Sequence, residues 1–111
     1  QNNYPKESAQ LLPPADACTE LFKVIQERRE ITEKDSYTNH LFEGGDNRIL
    51  KKIGEESAEF VMACKDNDPN SIASEAADLI FHLQVAIAHH DVTWRDVLTE
   101  LASRRNAPRR K

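Results

Sequence analysis

The short polar turn from Asp66 to Pro69 separates two long helical segments and limits how this chain can fold. Asp68 is suited to cap a helix and Pro69 to occupy its first position. We therefore predict one helix that ends near Lys65 and another that runs from Pro69 to about His89. Because helices joined by so short a connection pack antiparallel, the sequence predicts a helical hairpin.

Further helix signals lie on both sides of this hairpin, each a cap, a proline or a glycine beside an apolar-periodic segment. The predicted segments are Ala15 to Glu30, Ser36 to Phe42, Asp46 or Asn47 to Lys65, and Thr93 to Arg104. The pair Gly44-Gly45 is the stop signal for the short second helix. With three glycines in 111 residues, the chain is predicted to be all-α, a bundle of about five helices.

The length of 111 residues fits one domain over 1–111, with flexible arms at 1–14 and 105–111. The basic tail at 104–111 lacks interleaved aromatic residues, so we predict no nucleic-acid partner. No apolar run approaches the roughly 20 residues that span a bilayer, so we predict no membrane partner. Two cysteines without metal-type spacing suit a reducing, cytoplasmic location.

Acidic side chains cluster beside the apolar side of each hairpin helix. With about 100° of rotation per residue, the first helix has an apolar side and an adjoining charged sector. The apolar side comprises Ile49, Leu50, Ile53, Ser57, Phe60, Val61 and Cys64; the charged sector comprises Arg48, Lys52, Glu55, Glu56 and Glu59. In the second helix, Glu75, Asp78 and His82 flank an apolar sector in the same way.

Antiparallel packing brings these acids together. Glu59 approaches Glu75 just after the turn, and Glu56 approaches Asp78. Four close carboxylates without a counterion repel one another strongly. Oxygen-only ligands suit Mg²⁺, with Mn²⁺ as a substitute, and Mg²⁺ usually keeps positions for water and substrate phosphates. The pattern therefore predicts a metal site for phosphate chemistry, against the alternative that the acids form a solvated face.

Basic side chains near the acids fit a phosphate-bearing ligand. Arg48, Lys52 and Lys65 are candidates to bind its oxygens, although salt bridges such as Lys52 to Glu56 are the alternative. His82 is interpreted as a buried, hydrogen-bonded residue next to the metal ligands rather than a ligand, since hard cations prefer oxygen.

The acidic motifs carry a family resemblance. The run Glu55-Glu56-Ser57-Ala58-Glu59, followed by Glu75-Ala76-Ala77-Asp78, resembles the all-α nucleoside triphosphate pyrophosphohydrolases, the MazG-like superfamily. The stretches from Ile49 to Glu56, Ala63 to Asp66 and Glu75 to Leu83 are similar to the phosphoribosyl-ATP pyrophosphohydrolases of histidine biosynthesis. The likeness covers about Leu21 to Arg104. Phe81, where a tyrosine is expected, and Cys64, where alanine is commoner, are the departures.

The resemblance implies hydrolysis of phosphoribosyl-ATP to phosphoribosyl-AMP and pyrophosphate. It implies Mg²⁺ held by Glu56, Glu59, Glu75 and Asp78, with Glu55 positioning or deprotonating the water. It also implies a homodimer, in which Phe81, Val85 and Ile87 become more fully buried. Many relatives carry a fused cyclohydrolase domain, and we expect that activity in another chain.

Two other functions remain open: a house-cleaning hydrolase of nucleoside triphosphates, and a helical interaction domain.

Overall fold

The computed structural model describes residues 15–32 and 36–105, which form four helices and no strand. Helix α1 spans Ala17–Glu30, α2 spans Tyr37–Lys65, α3 spans Pro69–His89 and α4 spans Trp94–Ser103. The predicted all-α fold is confirmed. Apart from Arg105, the arms predicted at 1–14 and 105–111 lie outside the described residues.

The count of about five helices was slightly wrong, because the two helical segments on either side of Gly44-Gly45 run together as one element. The segments predicted as Ser36 to Phe42 and as the helix from Asp46 onwards belong to one element, α2. Gly45 has φ 66° and ψ −159°, a combination that is essentially restricted to glycine. The pair therefore interrupts the helical path where the stop was predicted, and α2 continues in a new direction after a sharp kink.

This kink folds the start of α2 back along its remainder. Arg48 donates a hydrogen bond to the carbonyl oxygen of His40 at 2.7 Å. In a straight helix, residues eight positions apart are separated by about 12 Å along the axis. The segment from Tyr37 to Gly44 thus packs beside the later turns of α2.

The central hairpin forms as predicted. The Asp68 side chain caps α3 by accepting a hydrogen bond from the Asn70 amide at 3.2 Å, and Pro69 occupies the first turn. At the far end of the hairpin, His90 Nε2 lies 2.8 Å from Asp46 Oδ1. Helices α2 and α3 therefore run antiparallel, and they share the most extensive contact between any two described helices.

The core lies where α1, the kinked part of α2 and the second half of α3 meet. Its buried side chains are Phe22, Ile25, Leu41, Ile49, Val85 and Ala88. The prediction that a second copy would bury Val85 more fully was wrong, because α1 and α2 already cover Val85 completely. Phe81 and Ile87 pack against the same core and are partly buried.

The residues of α2 that are buried, its buried line, are not the ones predicted to form its apolar side. Beyond the kink, Ile49, Glu56 and Ala63 are buried, whereas Leu50, Val61 and Cys64 are exposed. The reason is geometric: α1 and the start of α2 cover only one side of the hairpin. An acidic residue, Glu56, therefore lies on the buried line, and part of the apolar side is uncovered.

Helix α3 is long and apolar enough, by length and composition alone, to cross a membrane. The prediction that no segment approaches this length was therefore too strict. The same helix carries Glu75 and Asp78 and supplies Val85 and Ala88 to the core. A single helix of this kind, built into a core, is weak support for a membrane protein.

Substitution of Gly45 tests the importance of the kink. We expect Gly45→Ala to destabilise the fold by about 1–3 kcal/mol, because alanine is strained at this φ and ψ. Gly54 provides the matched control, since a Cβ there meets nothing within 4 Å. In this helix interior Gly54→Ala should stabilise by about 0.5–1 kcal/mol. Chemical denaturation measures both, and equal effects of the two substitutions would contradict the role assigned to Gly45.

Candidate metal and phosphate site

Three carboxylates from the two hairpin helices converge on one place. Glu56 lies on α2, and Glu75 and Asp78 lie three residues apart on α3. One oxygen of each lies within 4.8 Å of the others, close enough to share a metal ion. These three residues are called the carboxylate trio below. The structure thus brings together three of the four residues predicted as metal ligands.

Two oxygens of the trio are buried without a hydrogen-bond partner in the described part of the chain. Glu56 is 7% exposed. Its Oε1 atom and Glu75 Oε1 are buried without a hydrogen-bond partner among the described residues. An unpartnered buried carboxylate oxygen is costly, and a cation is the group that both oxygens can bind. The trio therefore fits a divalent cation that prefers oxygen ligands.

Burial and the crowding of negative charge both raise the pKa of the Glu75 carboxyl group. Burial raises its pKa most, followed by contact with Glu59 and by the charges of Asp78 and Glu56. Each of these effects disfavours the ionised form. A cation bound at the trio would act in the opposite direction by favouring ionised Glu75.

The other two predicted acids lie beside the trio. Glu59 contacts Glu75, as predicted from the helical spacing, but it is not among the three converging residues. Glu55 forms ion pairs with Lys52 at 3.4 Å and with Lys51 at 4.0 Å. The side chains of Glu55 and Glu59 are both exposed. Metal binding by Glu59 and action on water by Glu55 stay predictions.

Lys52 is the cation closest to the trio. Its Nζ lies 3.5 Å from Glu56 Oε2, and so it neutralises the second oxygen of that carboxylate. Burial acts to lower the pKa of Lys52, but Tyr37, Glu55 and Glu56 outweigh it, and the net shift is upward. Lys52 therefore stays positively charged at the edge of the site. It forms the salt bridge with Glu56 that the sequence offered as the alternative to phosphate binding.

The other predicted phosphate-binding residues lie further from the trio along α2. Arg48 Nη1 contacts both the carbonyl oxygen and the ring Nδ1 of His40. A Cβ atom at Gly44 would collide with the Arg48 side chain, so glycine makes room for it. Lys65 is exposed at the end of α2. Phosphate binding by both residues stays a prediction.

His82 is buried and held by two hydrogen bonds. Its Nδ1 lies 2.8 Å from the Asp78 carbonyl oxygen, and its Nε2 lies 2.9 Å from the Tyr37 hydroxyl. Both ring nitrogens are engaged, in line with the interpretation of His82 as a neighbour of the ligands.

The sequence argument from helical phase missed Tyr37, which stacks on Phe81 and makes this contact with His82. Burial raises the pKa of the Tyr37 phenol; Lys52 opposes this shift, and Glu56, Glu55 and Asp78 add to it. The available signal was Gly44-Gly45, because a reversal there returns Tyr37 to the hairpin.

A cleft adjoins the trio on the side of the α2–α3 turn. Its volume is about 340 Å³, and Glu59 and Glu75 form part of its lining. Ala58, Met62 and Ala63 supply apolar surface, and Asp66 and Ser71 supply polar groups near the turn. The trio thus lies next to a space large enough for part of a small molecule.

A comparison with protein families bears on the functions left open. Residues 18–105 match the family described as phosphoribosyl-ATP pyrophosphohydrolase. The chain belongs to this family. The interaction-domain alternative loses its support, because members of the family are hydrolases and the trio lies within the matched segment.

Curated relatives agree with this assignment. The chain is 71% identical over 104 residues to the histidine biosynthesis bifunctional protein HisIE of Prochlorococcus marinus, covering 94% of this chain and 47% of that protein. It is 71% identical over 100 residues to HisIE of Parasynechococcus marenigrum, covering 90% and 45%. For HisIE of Synechocystis sp., identity is 60% over 93 residues, covering 84% and 43%.

The chain therefore spans a little under half the length of these bifunctional relatives. The expectation that a cyclohydrolase activity belongs to another chain stays a prediction.

Removal of one trio charge tests the cation site. Because the folded protein raises the pKa of Glu75, protonated Glu75 contributes to stability. This contribution is complete below the unfolded-state pKa and is lost as pH rises through the folded-state pKa. At neutral pH, Glu75→Gln should therefore raise the melting temperature of the metal-free protein. The same change should abolish stabilisation by Mg²⁺, which amounts to about 2.7 kcal/mol at a hundred times the dissociation constant.

Glu55→Gln is the matched control, since Glu55 lies on α2 outside the trio. It should keep the Mg²⁺-dependent shift in melting temperature. Full Mg²⁺ stabilisation of Glu75→Gln would remove Glu75 from the site.

Proposed function

We propose that this chain hydrolyses phosphoribosyl-ATP to phosphoribosyl-AMP and pyrophosphate, the second step of histidine biosynthesis. The observation that carries the proposal is the buried, unpartnered Glu56 oxygen beside Glu75 and Asp78, in a chain of this family. The cofactor is Mg²⁺, with Mn²⁺ as a substitute, held by the trio and by Glu59. When bound, Mg²⁺ supplies positive charge to the phosphate oxygens and lowers the pKa of a bound water.

The residues of α2 divide the remaining tasks. Lys52, whose Nζ lies 3.5 Å from Glu56 Oε2, binds a substrate phosphate oxygen through a charge-assisted hydrogen bond. Arg48 and Lys65 extend this positive charge along the helix. Glu55 orients the water or removes its proton, so that the water oxygen attacks phosphorus and pyrophosphate leaves.

A homodimer and a cytoplasmic location complete the proposal. Exposed apolar side chains on α2 and α3 support the dimer: Leu50 is 50% exposed, Val61 is 54% exposed and Leu83 is 41% exposed. A second copy would cover this surface and add to the small core of one chain. The cytoplasm fits two free cysteines and a biosynthetic substrate.

Turnover of phosphoribosyl-ATP, measured beside a panel of nucleoside triphosphates with and without Mg²⁺, tests the reaction. We expect Mg²⁺-dependent pyrophosphate release from phosphoribosyl-ATP to be the fastest. Glu56→Gln and Asp78→Asn should each lower turnover by more than about a hundredfold, because loss of a ligand exceeds the usual effect of losing a neighbour of a ligand. Circular dichroism checks that both variants fold. Faster turnover of the panel would favour the house-cleaning alternative.

The role of Lys52 has a separate test with a close control. Lys52→Met should lower kcat/KM by about 10- to 100-fold, because it removes a hydrogen bond between charged groups. Lys51→Met removes the neighbouring charge, which among the described residues pairs with Glu55 alone, at 4.0 Å, and is 76% exposed. It should leave kcat/KM nearly unchanged. Equal losses in the two variants would mean that general charge attraction, not a specific contact, explains the effect.

A further inference from the structure

A tyrosine–histidine hydrogen bond connects the first residue of α2 to α3 beside the carboxylate trio. Tyr37 Oη lies 2.9 Å from His82 Nε2. His82 Nδ1 lies 2.8 Å from the carbonyl oxygen of Asp78, a member of the trio. These contacts link one end of α2 to the helical turn that carries Asp78.

For a neutral imidazole, the chemistry of the partners fixes the direction of both hydrogen bonds. A carbonyl oxygen only accepts, so His82 Nδ1 carries a proton and donates to Asp78. In the neutral imidazole, Nε2 then has a lone pair and accepts from the Tyr37 hydroxyl. The ring is 5% exposed, and both nitrogens are engaged. His82 therefore has no nitrogen available for a metal.

The trio needs such a connection because its members repel one another. Glu56 lies on α2, whereas Glu75 and Asp78 lie on α3, so repulsion acts to separate the two helices. On one side of the trio, the turn after Lys65 joins the helices covalently. On the other side, one turn of α3 beyond Asp78, Tyr37 lies within hydrogen-bonding distance of His82, and the hydrogen bond between Asp46 and His90 lies further away, at the far end of the hairpin.

We propose that Tyr37 and His82 are positioning residues, whose hydrogen bond holds the carboxylates of α2 and α3 at the separation that Mg²⁺ requires. This inference rests on the proposed function, from which it takes Mg²⁺ as the ligand. Gly45 is part of the same arrangement, since the kink returns Tyr37 to the hairpin. Neither residue touches the metal, and both act through the placement of Glu56 and Asp78.

Tyr37→Phe tests the proposal, because it removes the hydroxyl and keeps the ring that stacks on Phe81 at 6.1 Å. Calorimetric titration of the metal-free protein with Mg²⁺, without substrate, should show a dissociation constant raised about tenfold or more. The Mg²⁺ concentration for half-maximal turnover should rise by the same factor. At saturating Mg²⁺, kcat and the KM for substrate should return to wild-type values.

His90→Ala is the control, since it removes a histidine whose Nε2 lies 2.8 Å from Asp46 Oδ1, at the other end of the hairpin. It should leave the Mg²⁺ dissociation constant unchanged even where it lowers the melting temperature. A second variant, His82→Leu, cannot hydrogen-bond to Tyr37; it should weaken Mg²⁺ binding, and adding Tyr37→Phe to it should weaken binding no further.

The outcomes separate this inference from the proposed function. Wild-type Mg²⁺ affinity in Tyr37→Phe would overturn the positioning role and leave the proposed hydrolysis intact. Weakened Mg²⁺ binding in Tyr37→Phe, together with no turnover of phosphoribosyl-ATP by the wild type, would overturn the proposed substrate and support the positioning role. Absence of Mg²⁺ binding by the wild type would overturn both.

Discussion

Repulsion between carboxylates is the constraint around which this structure is arranged. Three of them lie within 4.8 Å of one another, and one, on Glu56, is almost completely buried. Without a cation the arrangement is unfavourable, as the raised pKa of Glu75 indicates. The hairpin turn, the Lys52 ion pair and the packing of α1 against α3 hold these side chains together. A site of this kind lowers the stability of the cation-free protein and favours cation binding. A bound cation restores that stability.

The hairpin was predictable because its signals are local. Asp68 and Pro69 define the start of α3, and a short turn permits only antiparallel packing. Helical phase then brought Glu56 towards Asp78 and Glu59 towards Glu75, and both pairs are neighbours in the structure. Spacing alone could not show that Glu59 stays outside the trio. That outcome depends on which side of α2 becomes buried, and hence on α1.

The effect of Gly44-Gly45 could not be predicted from the same local rules. The pair marks an interruption, but a stop and a reversal have the same sequence signal. The reversal depends on Gly45 adopting φ 66° and on Leu41 packing into the core with Phe22 and Ile25. Those long-range contacts bring Tyr37 to His82. A residue outside the predicted site therefore becomes its neighbour only through tertiary packing.

The charges around the trio suit the proposed divalent cation and phosphate-bearing substrate. When ionised, the three carboxylates of the trio and Lys52 together carry two negative charges, and Glu59 beside Glu75 adds a third. One divalent cation would leave one negative charge, so a bound polyphosphate would need further positive charge. In the proposed complex, a phosphate oxygen that takes the place of Glu56 Oε2 beside Lys52 would free that carboxylate oxygen for the cation. The proposed function therefore predicts that cation and substrate binding are coupled through Lys52.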